Sequence, residues 1–288
     1  MRAGVILVNL VSLARAASKR ASMPTLTNTP ALVTGAGRGI GRAIAERLAT
    51  EGASVALLAR THSDVDCVAA GIIARGGTAM AVAADVTDPR SVSTALDAAR
   101  ARFGPIRLVV NNAGTPGPYG PIGIADPLTW WESQKLHQLG PLLVMTEVIP
   151  HMQQVGGGRI INIVSSAGIR PVPHLSAYAV GKCAAIRLTE TVDLEQRASG
   201  IRAFALQPGT IVTDMAHSTM SSPEAARWIP EGVAMLKGRT AQESAADLAR
   251  CMDVVAALAA GRYDALSGRY LDINWDLDAL ENEAAKSA

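Results

Sequence analysis

Ala31-Leu32-Val33-Thr34-Gly35-Ala36-Gly37-Arg38-Gly39-Ile40-Gly41 is the stretch on which the fold turns. A short aliphatic run enters a turn with four glycines and leaves into a helix-forming segment. Glycines at such a turn let backbone N–H groups approach a pyrophosphate, and the following helix N-terminus favours its negative charge. Glycine serves any tight turn, so the residues alone leave a purely structural role open. Their place after a strand and before a helix is the context that a nucleotide-binding loop requires.

Outward from this turn the same alternation continues. Ala31–Val33, Ser54–Leu58, Ala79–Ala83, Leu108–Val110, Arg159–Val164 and Arg202–Leu206 read as strands, with Arg269–Ile273 as a last one. Between them Ile40–Thr50, Asp88–Phe103, Trp130–Met152, Ala177–Ala198 and Ala241–Ala260 are long enough for helices. Repeated strand–helix units require crossover connections and a parallel sheet. With no internal repeat or linker, the 288 residues are read as one α/β domain from 23 to 288, preceded by a leader of residues 1–22.

Composition agrees with a sheet buried on both faces. Hydrophobic residues make up 49% of the chain and aromatics only 3%, so the core is built from Ala, Val, Leu and Ile. A mean hydropathy of +0.20 excludes a disordered or collagen-like chain. Twenty-seven basic against 25 acidic residues is too balanced for a nucleic-acid binder. The leader holds Arg2, Arg15, Lys19, Arg20 and no acid, leaving a body of about −2. Its apolar run, Ala3–Leu13, is too short to span a bilayer, so no membrane partner is expected. We read the leader as an extension ahead of Met23 in a cytoplasmic protein, with a mitochondrial presequence as the alternative. Cys67, Cys183 and Cys251 are widely spaced, which argues against a metal cluster or a disulfide framework.

Three further groups carry chemistry. The second strand ends at Ala59-Arg60, where an NAD-selective dinucleotide fold presents an acid to the ribose 2′-hydroxyl. Arg60, with Arg38 from the glycine turn, can instead pair with a 2′-phosphate, which favours NADP(H) over NAD(H). As plain surface residues, the two arginines would say nothing about cofactor. Tyr178 and Lys182 are four residues apart on one helix face, where an ammonium stabilises a phenolate that is otherwise a poor base. Ser165 follows a strand end, where sites in parallel sheets collect, and its hydroxyl can bond a substrate carbonyl.

In order and spacing these residues, with Asp85-Val86, Asn111-Asn112-Ala113-Gly114, Pro208-Gly209 and Thr213, resemble the short-chain dehydrogenase/reductase family from about Pro30 to Tyr270. The resemblance implies a doubly wound Rossmann-type domain with about seven parallel strands and helices on both faces, commonly assembled as a homodimer or homotetramer. It implies that Gly35, Gly39 and Gly41, in the turn that also holds Arg38 and Ile40, line the pyrophosphate, and that Asp85 and Val86 flank the adenine. Asn111, Ala113 and Gly114 are implied along the cofactor, Lys182 on the nicotinamide ribose, and Pro208, Gly209, Ile211 and Thr213 beside the carboxamide. The activity implied is interconversion of a secondary alcohol and a ketone, with Tyr178 as general acid/base and Ser165 orienting the carbonyl.

One position departs from the family pattern. Aligning Trp130, Gly140 and Pro141 puts His137 where the family carries an Asn that helps hold a water next to the lysine. A histidine can bond water and, with a pKa near about 6.5, shuttle protons; a helix histidine without catalytic part is the plain alternative. The second functional reading, a cofactor-binding protein with weak or no redox turnover, rests on this replacement. The segment 214–239, with Met215, Met220 and Trp228, is expected to form a lid over a small apolar carbonyl or alcohol substrate. Tyr119, His174 and His217 are candidate polar contacts there, and the tail from Asp276 is read as a helix or a frayed end.

Overall fold

The aliphatic runs pair side by side. The computed structural model describes residues 26–287, and the expected leader lies outside them. Pro30–Thr34 (β1), Ser54–Ala59 (β2), Thr78–Ala83 (β3), Leu108–Asn111 (β4), Gly158–Ile163 (β5), Ile201–Gln207 (β6) and Tyr270–Asp272 (β7) form one parallel sheet. Its order is β3-β2-β1-β4-β5-β6-β7. The helices are Gly39–Thr50 (α1), His62–Ala74 (α2), Pro89–Phe103 (α3), Pro127–Gln134 (α4), Gly140–Gln154 (α5) and Ser176–Gln196 (α6). Asp214–Ser221 (α7), Pro223–Trp228 (α8), Pro230–Gly238 (α9), Ala241–Ala259 (α10) and Leu277–Ser287 (α11) follow.

Alternation along each strand feeds two separate cores. Val33, Val110, Ile161 and Phe204 pack against α1, α2 and α10, whereas Leu32, Val109, Ile160 and Ala203 pack against α3 and α5. All eight are fully buried, so the strands read as continuous apolar runs. The chain adds strands outward from β1 to β3, then returns to lay β4 on the other side of β1. At that reversal the connections leave in opposite directions and open a crevice at the carboxyl ends of the strands. Among the described residues no helix is long and apolar enough to cross a membrane.

The helix expected over Trp130–Met152 is interrupted. Between α4 and α5 the residues Lys135–Leu139 make a π-turn, in which the Gly140 N–H reaches the carbonyl of Lys135, five residues back. Pro141 explains the slip: it has no N–H to return to the carbonyl of His137, so the four-residue ladder fails there. The tail forms helix α11, and Trp275 before it packs edge-on against Tyr270 with ring centroids 5.5 Å apart.

A buried polar chain ties the middle of the sheet to α6. Asn111 on β4 donates to Asn162 on β5 (2.8 Å), Asn162 donates to Thr189 (2.8 Å), and Thr189 donates to the Ala185 carbonyl (2.8 Å). Breaking such a chain strands its members in a medium that cannot hydrate them. Asn162→Leu is therefore expected to lower stability by about 2–3 kcal/mol, seen as a lower urea midpoint at unchanged slope. An unchanged midpoint would show that the chain contributes nothing.

Candidate active site

The crevice is a cleft of about 300 Å³, walled by the glycine turn, the ends of β2 and β5, Asn112–Gly114, the start of α6 and the segment after β6. Gly35 and Gly39 hold positive φ angles of 64° and 56°, which glycine alone adopts freely. A Cβ on Gly41 would lie 2.3 Å from the Gly35 carbonyl oxygen, so the turn closes only with glycine there. No side chain caps α1 and its first turn holds no acid, so its leading N–H groups face the cleft's phosphate end uncommitted. These features fit the pyrophosphate of a dinucleotide.

At the far end of the cleft three polar side chains meet. Ser165 follows β5 and its Oγ accepts the Ala167 N–H at 3.2 Å. Lys182, one turn after Tyr178 on α6, is buried; its Nζ donates to the Ile163 carbonyl at 2.8 Å and lies 5.6 Å from the Tyr178 ring centre. Burial lowers the Lys182 pKa to about 8. Burial also raises that of the Tyr178 phenol; the Ser165 hydrogen bond opposes the rise and neighbouring Tyr119 adds to it. The arrangement sets a proton-carrying phenol beside a hydroxyl and an ammonium on the wall of a nucleotide cleft.

Comparison with known proteins gives the same answer. A family model described as short chain dehydrogenase matches residues 29–224. The chain belongs to the short chain dehydrogenase family. It is 34% identical to short chain dehydrogenase andI of Emericella variicolor, over 86% of this chain and 82% of that one. It is 36% identical to a 3-oxoacyl-[acyl-carrier-protein] reductase of Synechocystis, over 70% of this chain and 81% of that one. The crystal structure of NAD+-bound xylitol dehydrogenase superposes with a TM-score of 0.79 at 29% identity, covering 87% of this chain and 99% of that one. The protein is thus an oxidoreductase of a family that uses a nicotinamide cofactor.

Of the residues singled out in this dehydrogenase, Gly35, Arg38, Gly39, Ile40, Arg60, Asp85, Val86, Ala113, Gly114, Tyr178, Lys182, Pro208 and Thr213 line the cleft. Four expected on its cofactor wall lie elsewhere, and Ser165, expected to face the substrate, is not among the lining residues either. Asn111 is turned into the sheet, where it bonds Asn162, and its Oδ1 is buried without a partner. The next residue, Asn112, lines the cleft instead, donating from Nδ2 to the carbonyls of Thr34 (3.0 Å) and Gly35 (3.2 Å). Gly41 lies beneath the turn against Gly35, Gly209 packs against Asp247 and Ile273, and Ile211 packs on the core. Asp64 in the first turn of α2 also lines the cleft, its Cβ 2.7 Å from where a Gly37 side chain would begin. Its place four residues after Arg60 was the available signal.

His137 sits in the π-turn, 2% exposed, with its ring edge-on to Tyr178 at 5.6 Å. A Cβ on Gly181 would fall 2.7 Å from its own Cβ, so the ring is seated directly on the catalytic helix. Burial, with the Lys182 charge adding, lowers its pKa to about 3, against a smaller upward pull from Thr115. Such burial disfavours the charged ring that a proton shuttle near pH 6.5 would need, and favours the plain alternative of a histidine without a proton-carrying part. Its Nε2 is 2.8 Å from the Thr115 carbonyl, so the single ring proton belongs on Nε2 as donor.

Residues of α4 brace the start of α6, which lacks a side-chain cap. Trp130 donates to the Ser176 hydroxyl at 3.0 Å and Gln134 to the Ala177 carbonyl at 2.8 Å, immediately before Tyr178. Over the substrate side, Tyr119 bonds Thr219 of α7 at 2.8 Å. Thr219 already donates its proton to the Met215 carbonyl (2.9 Å), so Tyr119 is the donor. His174 stacks at 5.3 Å on Trp228, which also lies against Gly120, whereas His217 is exposed.

Proposed function

We propose that this protein is an NADP(H)-dependent oxidoreductase that interconverts a secondary alcohol and a ketone, with Tyr178 as general acid/base. The observation that carries the reading is the Tyr178 phenol beside the buried Lys182 ammonium, both on the wall of a glycine-cradled cleft. Xylitol and a 3-oxoacyl thioester, the substrates named for two relatives, both present a secondary carbinol or its ketone. When bound, the nicotinamide supplies or takes the hydride. Gly35, Gly39 and the α1 N-terminus would hold the pyrophosphate, Asp85 and Val86 the adenine, Lys182 the ribose, and Pro208 with Thr213 the carboxamide. In reduction Ser165 Oγ donates to the substrate carbonyl, and Tyr178 passes its phenolic proton to the same oxygen. Lys182 keeps a positive charge below the phenolate that results.

The preference for NADP(H) rests on charge at the adenosine end. Arg38 and Arg60 are both exposed at the cleft, whose lining also carries the acids Asp64, Asp85 and Asp214. Arg38 has only a 3.8 Å, solvent-exposed contact with Asp214 to lose, a pairing worth little. Met215 on the wall favours an apolar substrate. Exposed Trp131, Leu142, Val180 and Leu194 on α4–α6 are consistent with a homodimer or homotetramer. Three free cysteines suit a reducing compartment, the cytoplasm, or the mitochondrial matrix if residues 1–22 act as a presequence.

Cofactor absorbance followed over a panel of ketones tests both claims. Wild type is expected to oxidise NADPH, and Tyr178→Phe to lose about 10²–10⁴-fold in kcat. Arg60→Ala is expected to raise KM for NADPH several-fold more than for NADH. Equal rates in wild type and Tyr178→Phe would refute the mechanism. Tight cofactor binding without turnover across the panel would favour the second reading, and activity gained by His137→Asn would then assign the silence to that ring.

The pH dependence has a definite sign. The Lys182 ammonium is present below about pH 8 and lost above it, while the phenol keeps its proton past its ordinary range. Reduction is therefore expected to fall with one-proton slope above about pH 8, and Lys182→Arg to move that limb upward. A rate still flat at pH 10 would contradict a role for the ammonium.

A further inference from the structure

Away from the reacting atoms, one carboxylate is buried in the company of two arginines and a backbone amide. Asp247 on α10 is 3% exposed. Its Oδ2 accepts the Thr210 N–H at 3.0 Å and a hydrogen from Arg239, and its Oδ1 accepts from Arg250. Arg239 closes the ring by donating through Nε to the Thr210 carbonyl at 3.0 Å. Both backbone polar groups of one residue, Thr210, are thus held by a single ion pair. Two residues on, the Val212 N–H donates to Ser244 of the same helix at 2.9 Å. Gly209 has φ of 87°, and a Cβ there would lie 3.0 Å from Asp247, so the carboxylate reaches the chain only because glycine leaves room.

The two ends that this ion pair joins are the ends of the lid. Thr210 leads into α7, and Arg239 follows α9 directly, with 29 residues of separation between them. Pro208 and Thr213, which flank the clamped residue, line the same cleft as Tyr178, and Thr213 also lies against Gly39 of the glycine turn. A buried carboxylate is costly unless paired and hydrogen-bonded, and an apolar group of similar size would serve packing alone as well. What a charged pair adds is a fixed geometry for the backbone it grips.

We propose that Asp247 is a positioning residue for the cofactor: with Arg239 it clamps the neck of the lid at Thr210 and so fixes the Pro208–Thr213 wall against which the nicotinamide end sits. The inference rests on the cleft holding a nicotinamide dinucleotide, as proposed above. With the neck held, α7–α9 can move over the substrate without dragging that wall. Thr210, Arg239 and Asp247 are not themselves lining residues; on this proposal they act on the nicotinamide half of the cleft through the Pro208–Thr213 wall and leave the adenosine half alone.

That asymmetry supplies the test. Binding of NADP+ and NAD+ to the full chain is titrated by calorimetry beside 2′-phospho-ADP-ribose and ADP-ribose, the same nucleotides without the nicotinamide ring. Asp247→Asn and Arg239→Ala are each expected to raise Kd for the whole dinucleotide about tenfold while shifting the ring-less nucleotide by less than about twofold. Arg239 is partly exposed, so its variant reports on the clamp even if Asp247→Asn does not fold. Equal weakening of both ligands, or of neither, would overturn the assignment. A wild type that binds none of the four nucleotides would overturn the cofactor reading itself, and that result is seen before any variant is compared.

Discussion

The reversal of strand order between β1 and β4 is the constraint from which the rest follows. Connections that leave the sheet in opposite directions cannot pack against each other at the carboxyl edge. The gap between them is the cleft, and everything with chemical potential has been placed on its rim. The glycine turn follows β1, Asn112 follows β4, Val164 follows β5 and Pro208 follows β6, and all of them line the cleft. Rigid strands, buried on both faces, hold these loop residues in register.

Within that frame, burial sets the electrostatics. Lys182 is deep enough to lose part of its affinity for a proton, yet its bond to the Ile163 carbonyl keeps the ammonium directed under Tyr178. The same burial makes His137 a neutral donor, and the nearby Lys182 charge opposes its protonation further. An imidazole in this place therefore behaves as a wedge between the Thr115 loop and α6, held by one hydrogen bond and by contact with Gly181. It is the π-turn, forced by Pro141, that delivers the ring there.

The sheet was legible because buried parallel strands leave continuous aliphatic runs; the edge strands show this least, since β3 is only half-buried and β7 holds Leu271 between Tyr270 and Asp272. The glycine turn and the Tyr178–Lys182 pair were legible because their spacing is local: a strand–turn–helix, and one helical turn. Asn111 and Asn112 were not separable, since which of two neighbours faces the cleft depends on where β4 stops alternating. The π-turn was hidden by a pattern that reads as one helix. The Asp247 clamp was not legible, because Thr210 and Arg239 reach Asp247 only in the folded chain, and Arg250, three residues along the same helix, is an ordinary local pair. A lone acid in an amphipathic helix has no sequence signature of burial.

Residues 214–239 are the part least bound to the sheet. Helices α7–α9 bury only a few side chains, among them Ala216, Thr219, Ala225 and Val233, and meet the body through Tyr119, Gly120 and His174. A crystal structure with NADP+ and an unreactive ketone analogue tests the central claim, that Tyr178 and Ser165 act on one substrate oxygen. The predicted result is a ketone oxygen within about 3 Å of both hydroxyls, with Arg60 on the 2′-phosphate. A ketone oxygen seated away from Tyr178, with the cofactor in place, would contradict it.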